Sequence, residues 1–199
     1  MSFRKEIKSI IVKNKLNLLK KWINDENGKI LYPQRQINSI YFDNSKLSMY
    51  HDSIEGCVPR KKIRIRNYND LPIFNKGSNR LELKISSAEG RFKKTKKINN
   101  FDLRNYKIND DMYGFCYPII CISYSRIYFN CHNIRLTIDT DIKYRKISFG
   151  EVREICFKEP NCIAEIKYKN ISDNSILNNF PFHFVRFSKY CKAIESHYR

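Results

Sequence analysis

Glycine is scarce in this sequence, six residues in 199, and no run of glycines forms a loop able to cradle phosphate. That argues against a P-loop or a dinucleotide-binding turn, both of which need glycine where backbone amides approach the ligand. Seven cysteines form no CxxC pair, and four histidines lie scattered. A zinc site needs clustered ligand spacing, so no zinc is expected. An odd set of unclustered thiols reads as reduced cysteine in a cytoplasmic protein. Met1 to Glu6 leads into no apolar segment, so no signal peptide is expected. No run approaches the ~18 apolar residues of a membrane span, so membrane association would need tethering by a partner. Strands and helices do not alternate, which disfavours a parallel doubly wound sheet. No internal repeat, low-complexity segment or Pro/Gly-rich linker divides the chain. Helix-turn-helix, RNP-type aromatic and zinc-finger patterns are also missing, so nucleic acid is not the expected partner.

What is present is a foldable chain with a large positive excess. Hydrophobic residues make up 42% and aromatics 14%, enough for a core. The formal net charge of +18 predicts an anionic partner. The patterning predicts a strand at 3–11, an amphipathic helix from Val12 to Ile23 and a strand from Gln36 to Phe42. A short helix follows from Ser45 to Ile54, opened by Asn44 and stopped by Gly56. Further strands are expected at 59–69, 79–86, 91–98, 119–129, 133–142, 144–149 and 162–169. A helical or irregular stretch is expected at 101–115, a turn or short helix from Asn174 to Asn178, and a closing helix from Ser188 to Ser196. This is mainly β, antiparallel, with about eight strands in one domain spanning 1–199.

Five of these strands carry charge on one face only. They contain Arg4-Glu6-Lys8, Lys62-Arg64-Arg66, Arg80-Glu82-Lys84, Arg135-Thr137-Asp139 and Glu165-Lys167-Lys169. Residues two apart in a strand share a face. Ile7, Ile63, Ile65, Leu81, Leu83, Leu136, Ile138 and Ile166 therefore point the other way. Any one triplet alone reads more readily as a solvated face. Five together, mostly of one sign, describe a surface that repels itself unless a polyanion lies on it. The carboxylates on these faces either pair with a neighbouring lysine, as Glu82 with Lys84, or seat a divalent cation that bridges to phosphate, as for Glu165.

Seven motifs follow in order along nearly the whole chain: Ser39-Ile40-Tyr41-Phe42-Asp43, Arg60 to Arg66, Leu81-Glu82-Leu83-Lys84, Ser123-Tyr124-Ser125-Arg126, Ile134 to Asp139, Ala164 to Tyr168 and Phe187-Ser188-Lys189-Tyr190. Together they resemble the VTC domain, the catalytic domain of polyphosphate polymerases. The resemblance implies a triphosphate tunnel metalloenzyme: a closed antiparallel eight-stranded β-barrel with peripheral helices and a lumen lined with Lys, Arg and Glu. It implies phosphate contacts from Lys8, Arg64, Arg66, Lys84, Arg126, Arg135 and Lys189. Tyr124, Lys167 and Ser188 are implied beside them, with Lys94 and Lys96 the choice among Lys93, Lys94, Lys96 and Lys97. Metal binding is implied for Glu165, with Glu82 and Glu6 on the same faces, and the metal as Mn²⁺ or Mg²⁺. The implied reaction moves the γ-phosphate of ATP onto polyphosphate. A triphosphate hydrolase and a non-catalytic polyphosphate- or RNA-binding module are the alternatives.

Overall fold

Alternating charged and β-branched residues become long antiparallel strands, because side chains two apart can be buried together while their neighbours stay polar. The computed structural model describes residues 5–68, 74, 78–99, 101–132, 134–168 and 177–198. The strands are β1 (Lys5–Ile11), β2 (Lys29–Asp43), β3 (Arg60–Asn67), β4 (Asn79–Ser87), β5 (Gly90–Ile98), β6 (Ile108–Asp110), β7 (Gly114–Cys131), β8 (Ile134–Ser148), β9 (Glu151–Lys158) and β10 (Cys162–Tyr168). Among the described residues three α-helices of eight residues or more accompany them: α1 (Leu16–Asp25), α2 (Ser48–Glu55) and α3 (Lys189–Tyr198). The main strand order is β1-β10-β8-β7-β2-β3-β4-β5, with β6 on β7 and β9 on β8.

Several strand expectations change, and β6 forms within the stretch at 101–115 where no strand was expected. The closed eight-stranded barrel is not what the pairing forms: ten strands pair in an order that ends at β1 and β5, and no ladder joins those two among the described residues. β5 carries Lys93, Lys94, Lys96 and Lys97, and a row of lysines disfavours strand addition at an edge. β2 begins seven residues before the expected Gln36, because its first half is exposed and lacks the buried alternation that signals a strand. The two strands expected at 133–142 and 144–149 are one, β8, and it turns back into the unforeseen β9. That hairpin turns at Phe149 and Gly150, with φ of 53° and 70°. Two left-handed residues match a tight type I′ turn, normally signalled by Asn-Gly rather than Phe-Gly. Gly150 is required there, since a Cβ would lie 2.4 Å from Arg104 Cγ.

The contacts group the chain into two compact units, one of residues 1–35, 124–142 and 159–187, the other of 36–123, 143–158 and 188–199. In the first, the apolar faces of β1, β10 and β8 pack with α1. Ile11, Leu136, Ile138, Cys162, Ala164 and Ile166 meet Leu19, Trp22 and Ile23 there. Trp22 meets Phe180 edge-on at 4.9 Å. Val12, expected on the buried face of the helix, precedes it and is half exposed.

In the second unit, Ile40 faces Ile65 and Phe42 faces Ile63 across β2 and β3. Ile63 and Ile65 in turn face Leu83 and Leu81 on β4. α2 ends at Gly56, φ 85°, as expected from its glycine. All seven cysteines are free thiols. No helix among the described residues is long and apolar enough to cross a membrane. Arg4, Lys169 and Asn174 to Ile176 lie outside the described residues.

Candidate functional site

Register decides which charges meet. In the second unit, β3, β4 and β5 place three cross-strand rows on one face. Lys62 lies opposite Lys84, and Lys84 opposite Lys93. Arg64 lies opposite Glu82, and Glu82 opposite Thr95. Arg66 lies opposite Arg80, and Arg80 opposite Lys97. Two of the three rows therefore hold only like charges, an arrangement that destabilises a sheet on its own. The expected Lys94 and Lys96 are on the other face, opposite Leu83 and Leu81. Lys93 and Lys97 instead share the face of Lys84 and Arg80, because the two-residue turn at 88–89 sets the parity of β5.

One carboxylate organises these rows. Glu82 is 2% exposed. It accepts hydrogen bonds from Arg64 Nε at 2.7 Å and from Lys93 Nζ, with Arg66 Nη1 at 3.6 Å. Burial pushes its pKa up, but Arg64, Arg66 and Lys93 outweigh that and hold it at about 2. Glu82, expected beside the metal, thus has three cations around it.

Tyr41, across from Arg64 on β2, accepts a hydrogen bond from Arg64 Nη1 at 2.8 Å. Burial raises its pKa, yet Arg64, Arg66 and Lys62 bring it down to about 8. Ser39 accepts from Arg66 Nε at 3.2 Å. Tyr190 stacks on Tyr41 at 5.2 Å. Lys62 Nζ donates to Ser188 Oγ at 2.9 Å. Ser188 also accepts from the Cys191 amide, which caps α3. Half-buried Lys189 opens that helix.

Asp43 holds this side of the face together. Fully buried, it accepts from the amides of Asn44, Met49 and Tyr50 and from the Tyr190 hydroxyl. Burial raises its pKa despite those donors. It thus ties the end of β2 to α2 and α3. α2 begins at Ser48 after Leu47, not at Ser45 after Asn44 as expected, although Asn44 accepts from the Ser48 amide at 3.0 Å.

The first unit is differently balanced. Glu6 lies opposite Lys167 and Lys8 opposite Glu165 across β1 and β10. Lys8 Nζ is 3.4 Å from Glu6 and 3.9 Å from Glu165. Lys167 Nζ is 3.3 Å and 2.9 Å from the same two carboxylates. Lys8 also donates to the Phe187 carbonyl at 3.1 Å. Arg126 is bidentate to the fully buried Asp139 and lies 4.0 Å from Glu165. Burial works against its charge, but Asp139, Tyr124 and Glu165 raise its pKa well above the ordinary value. Arg126 also covers the Tyr124 ring at 5.2 Å. Arg135 faces Lys167, and its buried Nε has no acceptor among the described residues.

Glu6 and Glu165 are thus hard oxygen donors set close around two ammonium groups. Among the described residues no three His, Cys, Asp or Glu side chains converge as a metal cage. Two carboxylates still fit Mg²⁺ or Mn²⁺, which take one or two from a protein and complete their shell with phosphate and water.

Tyr41, Ser39 and Asp43 were not foreseen as candidate site residues, and Lys93 was one of the four candidate lysines but not the one preferred. Ser39, Tyr41 and Asp43 alternate along β2 as the basic triplets do, and that period was the available signal. Lys93 became identifiable only once the β4–β5 register was known.

Among solved structures, a candidate adenylate cyclase from Vibrio parahaemolyticus is similar over 98% of both chains, at 14% identity and a TM-score of 0.59. This supports the fold. Weaker likenesses are to the PH1012 protein from Pyrococcus horikoshii OT3, at 12% identity over 87% of both chains (TM-score 0.47), and to the Pct1 RNA triphosphatase of S. pombe in complex with the Spt5 CTD. The latter is 8% identical over 89% of this chain and 75% of that one, with a TM-score of 0.34. No curated protein matches. The family model for the VTC domain matches residues 3–198, and the chain belongs to the VTC domain family.

Proposed function

We propose that this chain is a metal-dependent enzyme that transfers the γ-phosphate of ATP to the end of a polyphosphate chain. The observation that carries this reading is the pair of like-charge rows, Lys62-Lys84-Lys93 and Arg66-Arg80-Lys97, on one face of β3, β4 and β5. A polyanion with regularly spaced charges relieves that repulsion along its length, as a single small anion does not.

In the reaction, an oxygen at the polyphosphate end attacks the γ-phosphorus. The bond to the β–γ bridging oxygen breaks, and ADP leaves. Such transfers depend on positioning and charge neutralisation rather than covalent help. Arg64, Arg66 and Arg126 would hold phosphate oxygens through planar donors, with Arg135 offering its own. Lys8, Lys84, Lys167 and Lys189 would act as point charges, with Ser188 and Tyr124 beside them. A bound Mn²⁺ or Mg²⁺, held by Glu165 and Glu6, would neutralise the phosphate oxygens. In this reading residues 1–199 form one functional domain.

The test is incubation of the pure protein with ATP and Mn²⁺, with products resolved on a gel. Long chains support the polymerase, and orthophosphate alone would replace it with a hydrolase. Tight polyphosphate binding without turnover would make the protein a binding module. Arg64→Ala and Glu165→Gln should each abolish turnover in a folded protein. Full activity in either would remove that residue from the site.

A further inference from the structure

Beside Arg126, the first unit carries an aromatic group that phosphate chemistry does not use. Tyr32 on β2 is 46% exposed, and Tyr128 on β7 is half-buried. Their rings meet edge-on at 5.5 Å. The exposed Arg35 guanidinium lies 4.9 Å from the Tyr32 ring centre and 6.0 Å from that of Tyr128. Arg35 makes no ion pair among the described residues, so its planar face rests on the rings rather than on a carboxylate. Tyr128 also contacts Arg126, whose guanidinium is 5.9 Å from its ring centre. Tyr128 and Arg126 are two residues apart on one strand, about 7 Å along its axis and on the same face. A sugar bridging a phosphate on Arg126 to a base on Tyr128 and Tyr32 covers such a step.

A bare polyphosphate has no use for these rings. A nucleobase does, because it offers a flat π-face to tyrosine and arginine planes. We propose that Tyr32, Arg35 and Tyr128 form a stacking subsite for the base of a nucleoside triphosphate whose phosphates reach Arg126. This rests on the reading of Arg126 as a phosphate contact. It adds a reason for the protein to prefer a nucleotide over inorganic triphosphate.

The experiment measures equilibrium binding of ATP and of tripolyphosphate to the full chain in Mg²⁺, for wild type, Tyr32→Ala and Tyr32→Phe. Tyr32 is partly exposed, so both variants should fold. Tyr32→Ala should weaken ATP roughly tenfold, the scale of one lost base–aromatic stack, and leave tripolyphosphate within about twofold. Tyr32→Phe should bind both ligands like wild type. Equal weakening of both ligands, unchanged ATP binding in Tyr32→Ala, or a Tyr32→Phe variant as weak as Tyr32→Ala would each overturn the subsite. If the chain makes no polyphosphate yet this binding pattern holds, the polymerase reading fails and the subsite stands. If polyphosphate forms while Tyr32→Ala binds ATP normally, the subsite alone is lost.

Discussion

Arg64 presents two nitrogens to one oxygen of Glu82, Nε at 2.7 Å and Nη2 at 2.6 Å. This pair sits between two rows of cations. Glu82→Gln would leave Arg64, Arg66 and Lys93 facing one another without it. Removing one partner of a buried pair costs about 3–5 kcal/mol. The variant should lose about that much in urea unfolding. Tripolyphosphate should raise its melting temperature more than that of wild type, because the added anion replaces the lost charge. Equal gains in the two proteins would mean that these cations do not face the ligand.

The same carboxylate predicts an acid limb. Its pKa in the folded state is about 2, against an ordinary 4.5. A depressed carboxylate pKa means that its stabilisation is complete above about pH 4.5 and disappears as pH falls toward 2. The loss should be on the order of 3 kcal/mol. Unfolding free energy followed from pH 5 to pH 2 should show this slope in wild type, and a flatter one in Glu82→Gln.

Tyr41 should ionise early. Its pKa of about 8 lies below the usual 10.0, so its anion is favoured in the folded protein, and stability gained from it grows as pH rises through 8. An ultraviolet titration should show one tyrosine ionising near pH 8, absent in Tyr41→Phe. Bound polyphosphate should move that transition upward, since it occupies the arginines that favour the phenolate. Above pH 8 the wild type should bind polyphosphate more weakly than Tyr41→Phe does. An unmoved transition would place Arg64 away from the ligand.

Asp43 sets the geometry behind Tyr41. Asp43→Ala would strand three amide donors and the Tyr190 hydroxyl. Orphaned buried donors cost about 1–3 kcal/mol each, partly relieved by water. A loss of about 3 kcal/mol in thermal or urea unfolding is expected. Tyr190→Phe, which removes only one of these contacts, should lose about 1 kcal/mol.

Much of the candidate site was legible because side-chain direction in a strand follows from position alone. Lys62, Arg64 and Arg66 had to share a face whatever they paired with, and so did Glu165 and Lys167. What was not legible was pairing. Lys94 and Lys96 looked as suitable as Lys93 and Lys97 until the turn at 88–89 fixed the parity of β5. Glu82 looked like a partner for Lys84, its neighbour in sequence, yet its bonds go to Arg64 and Lys93 on adjoining strands. β9 was missed because its turn uses Phe149-Gly150 and its residues are mostly exposed.

The chain by itself determined the net charge, the alternation of cation and hydrocarbon, and the placing of Glu6, Glu82 and Glu165 among basic residues. These are local properties of a strand with a two-residue period. Tertiary structure decided which charges oppose which, that Glu82 is spoken for while Glu6 and Glu165 share two lysines, and that Asp43 anchors Tyr190. Those depend on register between strands far apart in sequence, where a shift of one residue turns every side chain to the opposite face.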